Sequence, residues 1–161
     1  MSKSFPISRQ ISWIAIVIHL LLLILFFIIS AIIFPGKINY SFIFFILISL
    51  LLKFSIASDH RKGISLFKKG KYLEAIENFE KSYLFFKNNS WLDNYRFITL
   101  LSSSKISYKE IALNNIAFCY AQLGNGQKAK EFYEKTLTEF PNSGIAKAGI
   151  NILNAGQNTI N

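Results

Sequence analysis

Apolar residues are distributed along this chain in two different ways, and the change comes near residue 57. From Trp13 to Phe34 they follow one another almost without a break, and a second such run covers Tyr40 to Ala57, interrupted by Lys53 near its far end. Beyond that point they recur at three-and-four spacing among charged residues, which is the mark of amphipathic helices with one face on a core. The first run holds 22 residues and no formal charge, where a helix crossing the hydrocarbon layer needs about 20. A secretory signal would have a shorter apolar core of about 7–15 residues and a small-residue cleavage site, and neither is seen here. Pro35-Gly36-Lys37-Ile38-Asn39 has the composition of a turn. The first 57 residues therefore predict a membrane anchor, a two-span transmembrane helical hairpin with spans at about 13–34 and 40–57.

The amphipathic part is clearest at its centre. Ser107-x-x-Glu110 has the form of a capping box, so a helix is expected to begin near Tyr108. Leu113, Ile116, Ala117, Tyr120 and Leu123 make its stripe, Gly124-Asn125-Gly126 breaks it, and Ala129, Phe132, Tyr133, Thr136, Leu137 and Phe140 make a second one that Pro141 stops. Two such helices on a short turn bury their stripes against each other. A weaker pair precedes them, Asp59 to Lys69 and Tyr72 to about Lys87, with Ala75, Ile76, Phe79, Tyr83 and Phe86 as the better stripe. Between the pairs, Ser90-x-x-Asp93 reads as an N-cap and Trp91, Tyr95, Ile98 and Leu101 recur at helical spacing, which predicts an inserted helix at about 91–101. Its aromatic face either fills core or, through Trp91, Tyr95 and Phe97, presents an anchor patch to a partner. After Pro141, Asn142-Ser143 can cap a last helix at about 144–153, with Ile145, Ala148 and Ile152 on one side.

The stretch from Leu113 to Pro141 resembles a tetratricopeptide repeat. Leu113, Ile116, Ala117 and Tyr120 occupy the family's first block, Ala129 and Tyr133 its second, and Pro141 its close. Leu113 replaces the usual Trp and Ala117 the usual Gly. Residues 59–87 resemble a second, decayed repeat, with Gly63, Leu66, Ala75 and Phe79 in the matching slots. Ala75 and Ala129 are 54 residues apart, more than the usual period of about 34, so the insert breaks the array. The resemblance implies a concave surface made by the first helix of each pair and a protein partner, a peptide or helix, lying in it. On the strong repeat, Asn114, Asn115, Phe118 and Gln122 lie off the packing stripe and are the expected binding residues, with Trp91 and Tyr95 of the insert as further candidates. Some family members clamp a carboxyl terminus; Asn115 matches one asparagine of that set, but His60 and Ile64 stand where its first lysine and asparagine would be, and the activity is not carried over.

Composition sharpens the picture in three places. The formal net charge is +9, yet the part from Ser58 onward carries only +5 and no reading motif, which argues against nucleic acid. Lys3 and Arg9 precede the first span, Lys37 alone lies in the loop, and Lys53, Arg61 and Lys62 follow the second, so both termini are expected in the cytoplasm. This gives an integral protein of a cytoplasmic membrane, of bacterial type, with residues 58–161 as its cytoplasmic domain. Arg61, Lys62, Lys68, Lys69 and Lys71 either attract anionic headgroups or only solvate a helix face. His19 is the ionisable residue of the first span and is expected to pack, neutral, against the second span near Ser49, while Lys53 snorkels to the interface.

Two histidines, one cysteine and no ligand spacing leave no catalytic, metal or cofactor constellation, so no cofactor is implied. Gly124-Asn125-Gly126 follows a helix and lacks a phosphate-loop lysine, which makes it a turn. Cys119 sits inside the apolar part of a repeat helix, as a buried thiol does. The fold expected is all-α, and the function a membrane-anchored protein–protein interaction scaffold, not an enzyme. The alternative is a small structural subunit of a transport or secretion complex in which the hairpin assembles. Two repeats and a cap are fewer than the three usually needed, so the insert, self-association as a homo-oligomer or the membrane surface must supply the remaining burial.

Overall fold

A computed structural model describes residues 11–36 and 38–158. Lys3, Arg9, Lys37 and the side chain of Lys53, on which the expected topology partly rests, lie outside the described residues. The helices, numbered in chain order, are α1 (Trp13–Ile33), α2 (Ile38–Ile56), α3 (Ser58–Lys68), α4 (Tyr72–Asn88), α5 (Ser90–Asn94), α6 (Arg96–Thr99), α7 (Tyr108–Gln122), α8 (Gly126–Glu139) and α9 (Gly144–Asn158). Residues 11–158 divide between two compact units. One is built from α3, α4, α7, α8 and α9, the other from α1, α2 and the segment 90–105.

In the repeat unit the capping signals act where expected. Ser107 Oγ accepts the Glu110 backbone N–H at 3.1 Å, and Asn125 Oδ1 accepts that of Lys128 at 3.0 Å, so both helices of the strong pair start on a side-chain cap. Gly70 and Gly124 close α3 and α7 with φ of 75° and 76°, a left-handed turn that a Cβ would oppose. α7 lies at the centre and touches α3, α4, α8 and α9. Its burial is therefore not confined to a stripe: Ala112 to Ala117 and Cys119 are all buried. Phe79, Phe86, Leu113 and Ile116 are the large apolar side chains enclosed most completely.

Two glycines set the closeness of this packing. A Cβ on Gly63 would stand 2.7 Å from the Phe79 ring, and one on Gly149 would stand 2.4 Å from that of Tyr133. α9 consequently packs through Ala146, Gly149, Ile150 and Leu153, not through the expected Ile145, Ala148 and Ile152. Ile152 is 71% exposed, because the glycine-floored face accepts the tyrosine ring and turns the isoleucine away. The helix also runs on to Asn158.

In the other unit α1 meets the length and apolarity needed to cross a membrane, with a mean hydropathy of 3.2 in its best window. The described apolar stretch of α2, Phe42–Leu51, is shorter than a span. The two helices pack through Phe26 on Phe45 and Phe27 on Phe42, with ring centroids 5.2 and 6.0 Å apart. Beside those contacts lies an apolar groove of about 740 Å³ between Ser30 and Phe34 of one helix and Tyr40 and Phe44 of the other.

The expected single helix at 91–101 is two short ones. The chain breaks at Tyr95, and Leu100 and Leu101 turn back, Leu101 with a left-handed φ of 46°. The insert pairs with the start of α1: Ser12 N donates to Ser103 O at 2.9 Å, and Ile11 forms an isolated antiparallel bridge with Ser104. His19 Nε2 donates to Phe97 O at 2.6 Å. The expected partner Ser49 instead donates to Phe45 O of its own helix, the usual refuge of a serine hydroxyl in an apolar helix.

Candidate functional site

A helix advances about 100° per residue, so Tyr108, Ile111, Asn115, Phe118 and Gln122 of α7 fall on one arc of about 80°. This face looks toward α3. Tyr108 stands edge-on to His60 with ring centroids 5.3 Å apart, and Phe118 tilts against Phe67 at 5.4 Å. Contact at both the early and the late ends means that α3 and α7 run parallel, with α4 antiparallel between them in sequence. The 16 residues from Ser90 to Lys105 do not disturb that stacking, because they leave this unit altogether.

The expected binding residues separate on this frame. Asn114 is buried on another side of α7, where Nδ2 donates to Glu110 O at 3.0 Å and to Ser143 Oγ at 3.4 Å. It is a packing residue that ties α7 to the start of α9, and its expected place on the binding surface is corrected. The sequence concealed this because only a helix enclosed on several sides buries an asparagine there. Asn115 is buried on the α3 side, and its Nδ2 has no hydrogen-bond partner among the described residues. Phe118 is half-buried and Gln122 exposed. Asn115, Phe118 and Gln122 therefore share one seam with Ile64 of α3, which is also half-buried.

His60 is 5% exposed, with Nδ1 3.4 Å from Ser82 Oγ and its ring against Phe79 and Tyr108. Burial, and after it the charge of Arg61, lowers its pKa to about 4, so it is a neutral core residue and not a cationic anchor for a ligand. The sequence placed His60 in the slot of the family's clamp lysine without assigning it to the core; its helical spacing before Ile64 and Phe67 was the available signal. Cys119 is fully buried, and desolvation pushes its thiol up to about 12.

The basic residues after the second apolar helix divide too. Lys62, Lys68 and Lys69 are exposed and Arg61 is half-buried, while Lys71 pairs with Glu74 at 2.9 Å. Trp91 and Tyr95 belong to the other unit, where they are 58% and 62% exposed, and so they do not fill its core. Leu92 and Leu100 are the buried apolar residues of the insert. Among the described residues no group of three or more His, Cys, Asp or Glu side chains converges as metal ligands would.

Comparison with curated proteins and with solved structures finds no match to this chain. Residues 112–143, which hold most of α7, all of α8 and the serine that caps α9, match the tetratricopeptide repeat, a module of protein–protein interaction.

Proposed function

We propose that the chain is a membrane-anchored adaptor whose α3–α7 seam holds a segment of a partner protein at the cytoplasmic face of the membrane. The observation that carries this reading is the accessible part of the seam within the matched repeat, where exposed Gln122 stands beside half-buried Phe118 and, from α3, half-buried Ile64. Phe118 and Ile64 supply apolar contact to an extended or helical peptide and Gln122 a polar rim, while Asn115 lies beneath them in the core. α1 and α2 then act as a two-span hairpin that confines the partner and raises its effective concentration. Arg61, Lys62, Lys68 and Lys69 favour anionic headgroups, at about 1 kcal/mol for each residue near the surface.

A partner captured by the full-length protein from detergent-solubilised membranes should be lost from Phe118→Ala with Gln122→Ala and kept by Asn115→Leu, which changes a side chain beneath the surface. Retention of that partner by the Phe118→Ala, Gln122→Ala variant refutes the reading.

A second reading follows from the apolar groove between α1 and α2, which another transmembrane helix would fill if the chain were a subunit of a larger membrane complex. Crosslinks from Ile33 or Phe44 to a membrane protein, with none from Gln122, would favour it.

A further inference from the structure

The insert has three properties that belong together. First, Trp91, Tyr95 and Ile98 are 58%, 62% and 53% exposed on the two short helices and the break between them, so the insert turns an apolar edge outward, with Asn94 exposed within it. Second, the segment is attached to the first third of α1, through Ile11, Ser12 and His19. Third, several of its polar groups are bonded within the segment or to α1, although Ser90, Asn94 and Lys105 are exposed. The Arg96 guanidinium donates to the carbonyls of Asp93, Ser104 and Lys105 at 2.8, 3.0 and 2.7 Å. Thr99 Oγ1 is 2.8 and 3.1 Å from the carbonyls of Leu92 and Tyr95, Ser102 N donates to Arg96 O, and Phe97 O receives His19.

Irregular backbone survives next to lipid only where its own N–H and C=O groups are paired, and a loop in water has no need of such pairing. We infer that residues 90–105 form an interfacial element that enters the cytoplasmic leaflet beside α1, with Trp91, Tyr95 and Ile98 in contact with lipid at the boundary of headgroups and acyl chains. This rests on the membrane reading of α1 given above. His19 is six residues beyond Trp13, or about 9 Å along the helix at 1.5 Å per residue. That agrees with the burial of about 5–10 Å typical of interfacial helices. Trp13, 79% exposed at the start of α1, marks the same boundary in the way aromatic belts do. The apolar edge of the insert thus continues the lipid-facing surface of the span to which it is bonded. His19 is explained without a partner in the second span, since it caps a carbonyl that lipid would leave unpaired.

The chain has two tryptophans, one at each end of this contact. In full-length Trp13→Phe, Trp91 is the sole indole, and in Trp91→Phe it is Trp13. Each variant is reconstituted in phosphatidylcholine–phosphatidylglycerol vesicles that contain lipids brominated either near the top or near the end of the acyl chain. Trp91 should show a blue-shifted emission and lose most of its intensity to shallow bromines, and less to deep ones. Emission from Trp91 that is insensitive to either lipid overturns the proposal. So does a blue shift without quenching, which burial against a second copy or another protein would give. If Trp13 is quenched and Trp91 is not, the anchor stands and the interfacial insert fails; if neither is quenched, both fail.

Discussion

Protonation of His60 should loosen the repeat unit in a narrow acid window. The ring is 5% exposed, and its pKa falls from 6.5 to about 4 because burial disfavours the imidazolium and Arg61 adds like charge. The unfolded chain takes up the proton as pH falls through 6.5, whereas the folded chain does so only near 4. Folding in between requires release of a proton, so stability is complete above pH 6.5, declines down to about 4 and then levels off. With those two values the loss at pH 5 is about 2 kcal/mol, an increase of about 30-fold in the opening equilibrium, and it approaches about 3 kcal/mol at the lower limit. Amide hydrogen exchange of α4 and α7 in the full-length protein, corrected for intrinsic rates, reads that equilibrium between pH 7.5 and 5. His60→Phe keeps an aromatic ring between Phe79 and Tyr108 but cannot titrate. The difference in pH slope between wild type and variant isolates His60 from the carboxylates. Equal slopes would refute the account, whatever the offset between the two proteins.

Other consequences can be measured independently. Gly63→Ala and Gly149→Ala each push a methyl group into a ring and should lower stability by about 1–3 kcal/mol despite the better helix propensity; Gly156→Ala meets open space and should be neutral or slightly stabilising, and thermal unfolding compares the three. Cys119, held protonated in the core, should resist a thiol reagent at pH 8 until denaturant opens the fold, and rapid labelling of the native protein would contradict its burial. Loss of the His19–Phe97 hydrogen bond in His19→Phe should cost about 1 kcal/mol, raising exchange of the Ser102 and Ser104 amides about 5-fold, with α7 unaffected.

Much of the repeat unit was legible in the sequence because its signals are local. A capping serine, a stripe at three-and-four spacing and a glycine turn each act within a few residues, and α3, α4, α7 and α8 begin and end within about two residues of where those signals put them. The same holds for α1, whose apolarity needs no partner to be read. The structure had to decide which side of a helix is covered. Asn114 and Asn115 are neighbours with equal standing in the sequence, but about 100° of helical rotation sends one to Ser143 and α9 and the other to the α3 seam, and among the described residues each keeps one buried amide atom unpaired, Oδ1 of Asn114 and Nδ2 of Asn115. Ile152 stays exposed because Gly149, one turn earlier, is the residue small enough to lie under Tyr133. The insert shows the limit most plainly: helical spacing from Trp91 to Leu101 is real, but whether those aromatics face core, partner or lipid depends on bonds to Ser12 and His19, about 80 residues away along the chain. Local chemistry fixes where helices start and stop, and contacts between distant segments assign their faces.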